Sequence, residues 1–254
     1  MKPALNLGII LALARSFLLA GSDQVQNAGA LVDRFERTYR SSHTLQATFL
    51  ERYLENGREI RSEAGVAYFE RPGRMRWEYQ SPEENLFVID GKWSWFYVPS
   101  DHTVTRVRAK ESSDWRTPFA LLAGEMRVSR ICASVQLDTS SQPVEAGNTV
   151  LRCVLRENDS FSSDAHSPDR VRSKRGDSVL FELNSTTGEL SRILISDPAG
   201  VQVEFRFANW LFNPPLESAK FHFAPPKGVA IVDGDLAAPG SSGTPSGRPP
   251  SGLH

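Results

Sequence analysis

The side chains that could do chemistry are present in this 254-residue chain, but not at spacings that bring them to one place. Its five histidines, His43, His102, His166, His222 and His254, are scattered and read as surface groups. There is no G-x-S-x-G elbow to expose a nucleophilic serine, no H-E-x-x-H helix to hold zinc, no P-loop and no G-x-G-x-x-G to cradle phosphates. Adjacent carboxylates, Glu83 with Glu84 and Asp233 near Asp235, read as solvated loop charges. Cys132 and Cys153 lie 21 positions apart in strand-like segments without clustered histidines, a poor metal site. They are a disulfide candidate in an oxidising compartment, or else two inert buried thiols. The expectation is therefore no catalytic residue, no metal, no cofactor and no enzymatic activity.

What does stand out is apolar. Trp77, Tyr79, Phe87, Trp93, Trp95, Phe96 and Tyr97 fall within about 20 positions, Phe119 follows, and four of the five tryptophans lie between residues 77 and 115. Such a density builds either an ordinary core or the wall of a ligand cavity. A large curved sheet with one apolar face and few helices to cover it encloses a ligand or packs imperfectly.

The elements that must position these side chains follow from periodicity. Ala28, Leu31, Val32, Phe35 and Tyr39 recur at helical spacing and predict an amphipathic helix over about residues 24–40. Beyond it the period changes to two. Leu45, Ala47 and Phe49 alternate with Gln46, Thr48 and Leu50, and Asn56-Gly57 supplies a hairpin turn into a second strand over 59–70. Met75, Trp77 and Tyr79 then alternate with Arg74, Arg76 and Glu78. Further strands are predicted at 85–89, 92–98, 103–108, 128–137, 149–155, 179–183, 191–196 and 201–210, about eleven in a meander. Thr117-Pro118 through Gly124 interrupts them as a short apolar helix, with Thr able to cap, Pro suited to the first turn and Gly able to end it.

Lys2, an apolar run from Ala4 to Ala20 and the small and polar Gly21, Ser22 and Asp23 have the layout of a secretory signal peptide over residues 1–22, although Arg15 interrupts the run. No cysteine follows at which a lipid anchor would attach, so the exported protein is expected free in solution. Residues 157–178 are dense in Ser, Asp and Arg and read as a mobile polar insertion, and residues 236–254 as a disordered Pro/Gly/Ser tail. That leaves 23–235 as the folded domain. With 29 basic against 30 acidic side chains, no long-range field favours nucleic acid or an anionic membrane.

The segment ERPGRMRWEYQSPEENLFVIDGKWSWFYVP, Glu70 to Pro99, resembles the periplasmic outer-membrane lipoprotein carrier family, LolA, in its R-P, W-x-Y, D-G-K and W-F-Y-x-P elements and their order. TPFALLAG at 117–124 is similar to the family's internal helix, and AKFHFAPPKGVAIVD at 219–233 to its closing block. The resemblance implies an unclosed antiparallel β-barrel with helices forming a lid over an apolar cavity for the acyl chains of lipoproteins. It implies a monomer in the periplasm, loaded by an inner-membrane ABC transporter and unloaded to an outer-membrane acceptor. It maps the family's lid-latching arginine onto Arg71, whose guanidinium offers five donors for lid carbonyls. Trp77, Trp93, Trp95, Tyr97, Phe119 and Leu122 are then expected in the cavity or lid. Related folds carry phospholipid or glycolipid, or serve as lipoprotein-binding envelope-stress sensor domains, and these are the alternatives.

Overall fold

The computed structural model describes residues 27–109, 117–124, 127–156, 178–196 and 200–234. The expected signal peptide, the tail and all but the last residue of the 157–178 insertion lie outside them.

Helix α1 spans 27–40. Its Ala28, Leu31, Phe35 and Tyr39 are buried along one stripe, which is what the helical spacing of apolar residues requires. Six strands follow: β1 (Thr44–Glu55), β2 (Arg58–Glu70), β3 (Arg74–Ser81), β4 (Leu86–Ile89), β5 (Trp93–Val98) and β6 (Thr103–Arg108). Two short helices, α2 (Thr117–Leu122) and α3 (Val128–Ile131), interrupt the strands. The sheet resumes with β7 (Cys132–Leu137), β8 (Asn148–Leu155), β9 (Ser178–Asn184), β10 (Leu190–Ser196), β11 (Val201–Phe212) and β12 (Ala230–Asp233).

All twelve form one sheet in the order β12-β6-β5-β4-β3-β2-β1-β11-β10-β9-β8-β7. The chain walks outward from β1 to β6, crosses through α2 and α3, and returns from the far edge until β11 zips antiparallel onto β1. The two edges, β12 and β7, are not hydrogen-bonded to each other, so the barrel is unclosed. Every pairing is antiparallel except β12 on β6.

Two details differ from the reading of the sequence. The stretch expected as one strand over 128–137 divides into α3 and β7, because the Glu36 carboxylate accepts a hydrogen bond from the backbone N–H of Val128 and caps a single helical turn there. The twelfth strand, β12, is four exposed residues without alternation, so it has no face by which periodicity could reveal it.

The period-two pattern sorts side chains onto two faces. The inner face carries Leu45, Ala47 and Phe49 of β1, Phe69 of β2, Met75, Trp77 and Tyr79 of β3, and Phe205 and Phe207 of β11, all buried with α1 and α2 in one cluster. Burying a Phe-sized side chain contributes about 1.5–3 kcal/mol, so this cluster dominates the stability of the fold. The outer face is divided. Over β4–β6 it is apolar and covered by the C-terminal arm through Phe223 and Val229. Over β1, β11, β10 and β9 it is a ladder of ion pairs that runs from Arg52 to Glu204 to Arg192 to Glu182.

Candidate functional site

The site is the space between the inner face and the helices, and α2 fills it. Phe119, Leu121 and Leu122 are buried, and the Phe119 ring meets Trp77 edge-on at 4.9 Å and Phe205 at 4.7 Å. Trp77 is the hub. It also contacts Phe49 (4.7 Å), Phe69 (6.0 Å), Phe205 (5.6 Å) and Phe207 (6.0 Å), mostly in the edge-to-face arrangement that aromatic quadrupoles prefer. The apolar space between the sheet and the helices is thus occupied by the side chains of a helix six residues long, which meets the sheet and its rim at several described points.

One of those points is Arg71, in the turn between β2 and β3. Its Nη1 donates to the Tyr39 carbonyl at the C-terminal end of α1, where a cation also complements the helix dipole. Its guanidinium lies against Gly124, just past α2. Gly124 has φ +78°, and a Cβ built there would fall 2.1 Å from Arg71 Nε. Only glycine allows both the backbone conformation and the close approach. The backbone adds a parallel link, with Gly73 N–H donating to the Ala123 carbonyl at 3.0 Å. Arg71 therefore sits where α1, α2 and the sheet rim meet. Burial, and after it the like charge of Arg40, holds its pKa below the ordinary arginine value.

The expected cavity and lid residues separate. Trp77, Phe119 and Leu122 lie in the inner cluster. Trp93, Trp95 and Tyr97 do not, and their assignment to the cavity or lid is corrected here: they belong to the outer-face cluster with Val88 and Val104. The register is the reason. Trp95 pairs with Val88 and Phe96 with Phe87, so within β5 it is Phe96 that turns inward with Phe87. Phe223 of the arm packs in tilted contact with Trp95 at 5.7 Å and Tyr97 at 5.9 Å, and Arg106 lies 4.7 Å above Trp93. The expected disulfide partners, Cys132 on β7 and Cys153 on β8, are bonded to one another and buried in the inner cluster, with Cα atoms 5.4 Å apart.

The inner face also holds polar groups that were not singled out from the sequence. Glu51 and Glu63 face each other across β1 and β2, both buried, and the Tyr79 hydroxyl donates to Glu51 at 2.9 Å. Burial first, then the neighbouring Glu63, pushes the Glu51 carboxyl well above the usual carboxylate range, and burial does the same more modestly for Glu63. The signal was present: Glu51 continues the Leu45, Ala47, Phe49 alternation. Among the described residues no group of three or more His, Cys, Asp or Glu side chains could hold a metal ion.

Comparisons with known proteins agree with this geometry. Residues 40–149 match the family model of the outer membrane lipoprotein carrier protein LolA. The outer-membrane lipoprotein carrier protein of Chromobacterium violaceum is 32% identical over 195 residues, covering 76% of this chain and 83% of that protein. Its counterpart in Nitrosomonas europaea is 31% identical over 191 residues, covering 74% and 82%. A structure of an uncharacterized conserved protein from Thermus thermophilus shares the fold at a TM-score of 0.50 and 16% identity, covering 81% of this chain and 98% of that one. An unclosed sheet whose apolar face is plugged by a short helix, with an arginine at the seam, thus coincides with close sequence relatives over most of the chain, and the chain belongs to the LolA family of outer-membrane lipoprotein carriers.

Proposed function

We propose that this protein is a periplasmic carrier that takes the acyl chains of lipoproteins between its inner sheet face and its helices and moves them from the inner to the outer membrane. The observation that supports this best is the interior itself: an aromatic face covered by Phe119 and Leu122, side chains that a short helix can withdraw and replace with acyl chains of similar polarity.

The energetics require such a device. Each CH₂ of an acyl chain left in water costs about 0.8 kcal/mol, so one chain of about sixteen carbons carries ~12 kcal/mol that the carrier must offset. An empty interior would itself be costly, because unfilled apolar space loses dispersion contacts and exposes surface. Filling it with α2 removes that cost and makes closure of the empty lid the driving force for release. Arg71 sets the size of that driving force through its bond to the Tyr39 carbonyl. Loading by an inner-membrane ABC transporter supplies the energy to open the lid, and an outer-membrane acceptor receives the cargo. The protein acts as a monomer and makes or breaks no covalent bond in its cargo.

Native mass spectrometry with lipid extraction on protein purified gently from its host envelope tests the proposal. Bound acylated lipoprotein is the expected result. Bound phospholipid or glycolipid alone would reassign it as a lipid carrier, and an interior empty under every condition would point to a sensor domain.

A further inference from the structure

The seam that Arg71 occupies holds more positive charge than a latch needs. A cleft of about 400 Å³ opens between α1, the β2–β3 turn and the described residues of α2 and α3 with Gly124 and Arg127 beside them. Four arginines stand among its described lining residues: Arg40 from α1, Arg71 from the turn, and Arg127 and Arg130 at α3. The one carboxylate among its described lining residues is Glu36, and both of its oxygens are engaged. Oε2 pairs with Arg40 at 2.7 Å and Oε1 accepts from Val128 N–H at 3.0 Å. Arg71, Arg127 and Arg130 are left without a carboxylate partner among the described residues, and the last two are exposed. The inner wall of the cleft is apolar, formed by the buried Phe35, Tyr39 and Leu121.

Guanidinium groups repel one another, and Arg40 already acts on the half-buried Arg71 as a like charge, so an anion entering the cleft is electrostatically favoured. The geometry selects the anion. These arginines reach the cleft from a turn and a helix on different sides, so they approach a ligand along different directions. A planar carboxylate offers two oxygens in one plane and suits a single guanidinium fork. A phosphate offers tetrahedrally arranged oxygens that several forks can engage together, in shorter and stronger charge-assisted bonds. The volume accommodates a phosphate with a glycerol-sized ester group, whose carbons would meet the apolar wall.

We propose that the cleft lined by α1, Arg71, Arg127 and Arg130 is a phosphate-binding site, in which the latter three arginines hold the phosphate of a glycerophospholipid headgroup or a soluble phosphate of the same chemistry. A consequence follows from Arg71. An anion in the cleft competes with the Tyr39 carbonyl for the same guanidinium, so its arrival at a membrane surface would loosen the lid. That coupling rests on the carrier reading above, whereas the anion site rests only on the charges that line the cleft.

The test uses probes without acyl chains, so that the apolar interior plays no part. Inorganic phosphate and glycerophosphoglycerol are titrated separately into the mature, cargo-free protein while the arginine Nε–Hε NMR signals are followed, with sodium chloride at matched ionic strength as the reference. The expected result is a saturable shift at Arg71, Arg127 and Arg130 with either probe but not with chloride. In the Arg127→Gln/Arg130→Gln double variant affinity should fall by about tenfold or more, with the melting temperature unchanged because both side chains are exposed. Tighter binding of glycerophosphoglycerol identifies the lipid headgroup as the source, and tighter binding of inorganic phosphate identifies the free ion. No saturable shift, the same shift with chloride, or a double variant that binds as the parent does overturns the site.

Discussion

Replacing Gly124 by alanine should unlatch the lid without altering the arginine. The new methyl carbon would fall 2.1 Å from Arg71 Nε, 2.6 Å from Nη2 and 2.7 Å from Cζ, so the guanidinium must move by more than 1 Å, roughly to ordinary contact distance. A displacement of that size lengthens or breaks its bond to the Tyr39 carbonyl. A hydrogen bond from a charged donor contributes about 1.5–3 kcal/mol, and an alanine at φ +78° adds about 1–2 kcal/mol of backbone cost. The guanidinium is half-buried and regains some water when displaced, which brings the net effect on the closed state to about 2–3 kcal/mol. At 1.4 kcal/mol per factor of ten, the open population rises roughly 30- to 140-fold. Amide hydrogen exchange reads this directly: protection of α1 should fall by that factor while the central strands β1, β2 and β11 keep theirs. Arg71→Leu should reproduce the part that comes from the lost hydrogen bond, and the double variant should exceed Arg71→Leu only by the backbone cost of alanine at 124, because the two changes share one interaction. Unchanged α1 exchange in a folded Gly124→Ala protein would refute the latch.

Arg71→Leu should still accept lipoprotein but transfer it poorly to acceptor membranes, since closure of the empty lid no longer drives release; unimpaired transfer would contradict that role. The Cys132–Cys153 bridge closes a 21-residue separation, so Cys132→Ser/Cys153→Ser should cost about 3 kcal/mol and roughly 6–12 °C of melting temperature, and a loss below about 1 kcal/mol would show the bridge idle. Glu51 is an acid whose folded pKa is raised, so the folded state holds its proton more tightly than the unfolded chain, and stability falls as pH rises above the ordinary glutamate range until the folded value is passed. Glu51→Gln keeps an acceptor for Tyr79 and should reduce that slope in urea midpoints measured upward from the ordinary glutamate range, leaving the smaller part that Glu63 contributes; an unchanged slope would show that Glu51 is not its source.

Most strands were legible because one face of the sheet is apolar and the other wet. Met75, Trp77 and Tyr79 against Arg74, Arg76 and Glu78 gave β3 directly, and the Asn56-Gly57 turn gave the β1–β2 register region. Alternation assigns residues to faces without saying which face is inside. That ambiguity is harmless where the opposite face is charged and misleading in β5, where Trp93, Trp95 and Tyr97 form one apolar face and Phe96 lies on the other. The outer face there is apolar because an arm more than a hundred residues downstream covers it through Phe223, a contact that no local pattern encodes. Arg71 was reachable only through the family resemblance. Its seat could not be read at all, since it depends on three separate segments meeting: the Tyr39 carbonyl, the β2–β3 turn and Gly124. The cleft arginines were hidden for the same reason, because α1 and α3 are distant in sequence.

In the carrier proposed above, acyl chains replace α2 against the inner face. Site-specific photo-crosslinking in the host envelope tests it, with a benzophenone side chain placed at Phe119, at Phe207 or, on the opposite face, at Trp93. The expected result is crosslinking to acylated lipoprotein from positions 119 and 207 and none from 93; crosslinks from 93 alone, or lipoprotein captured at no inner position, would contradict it.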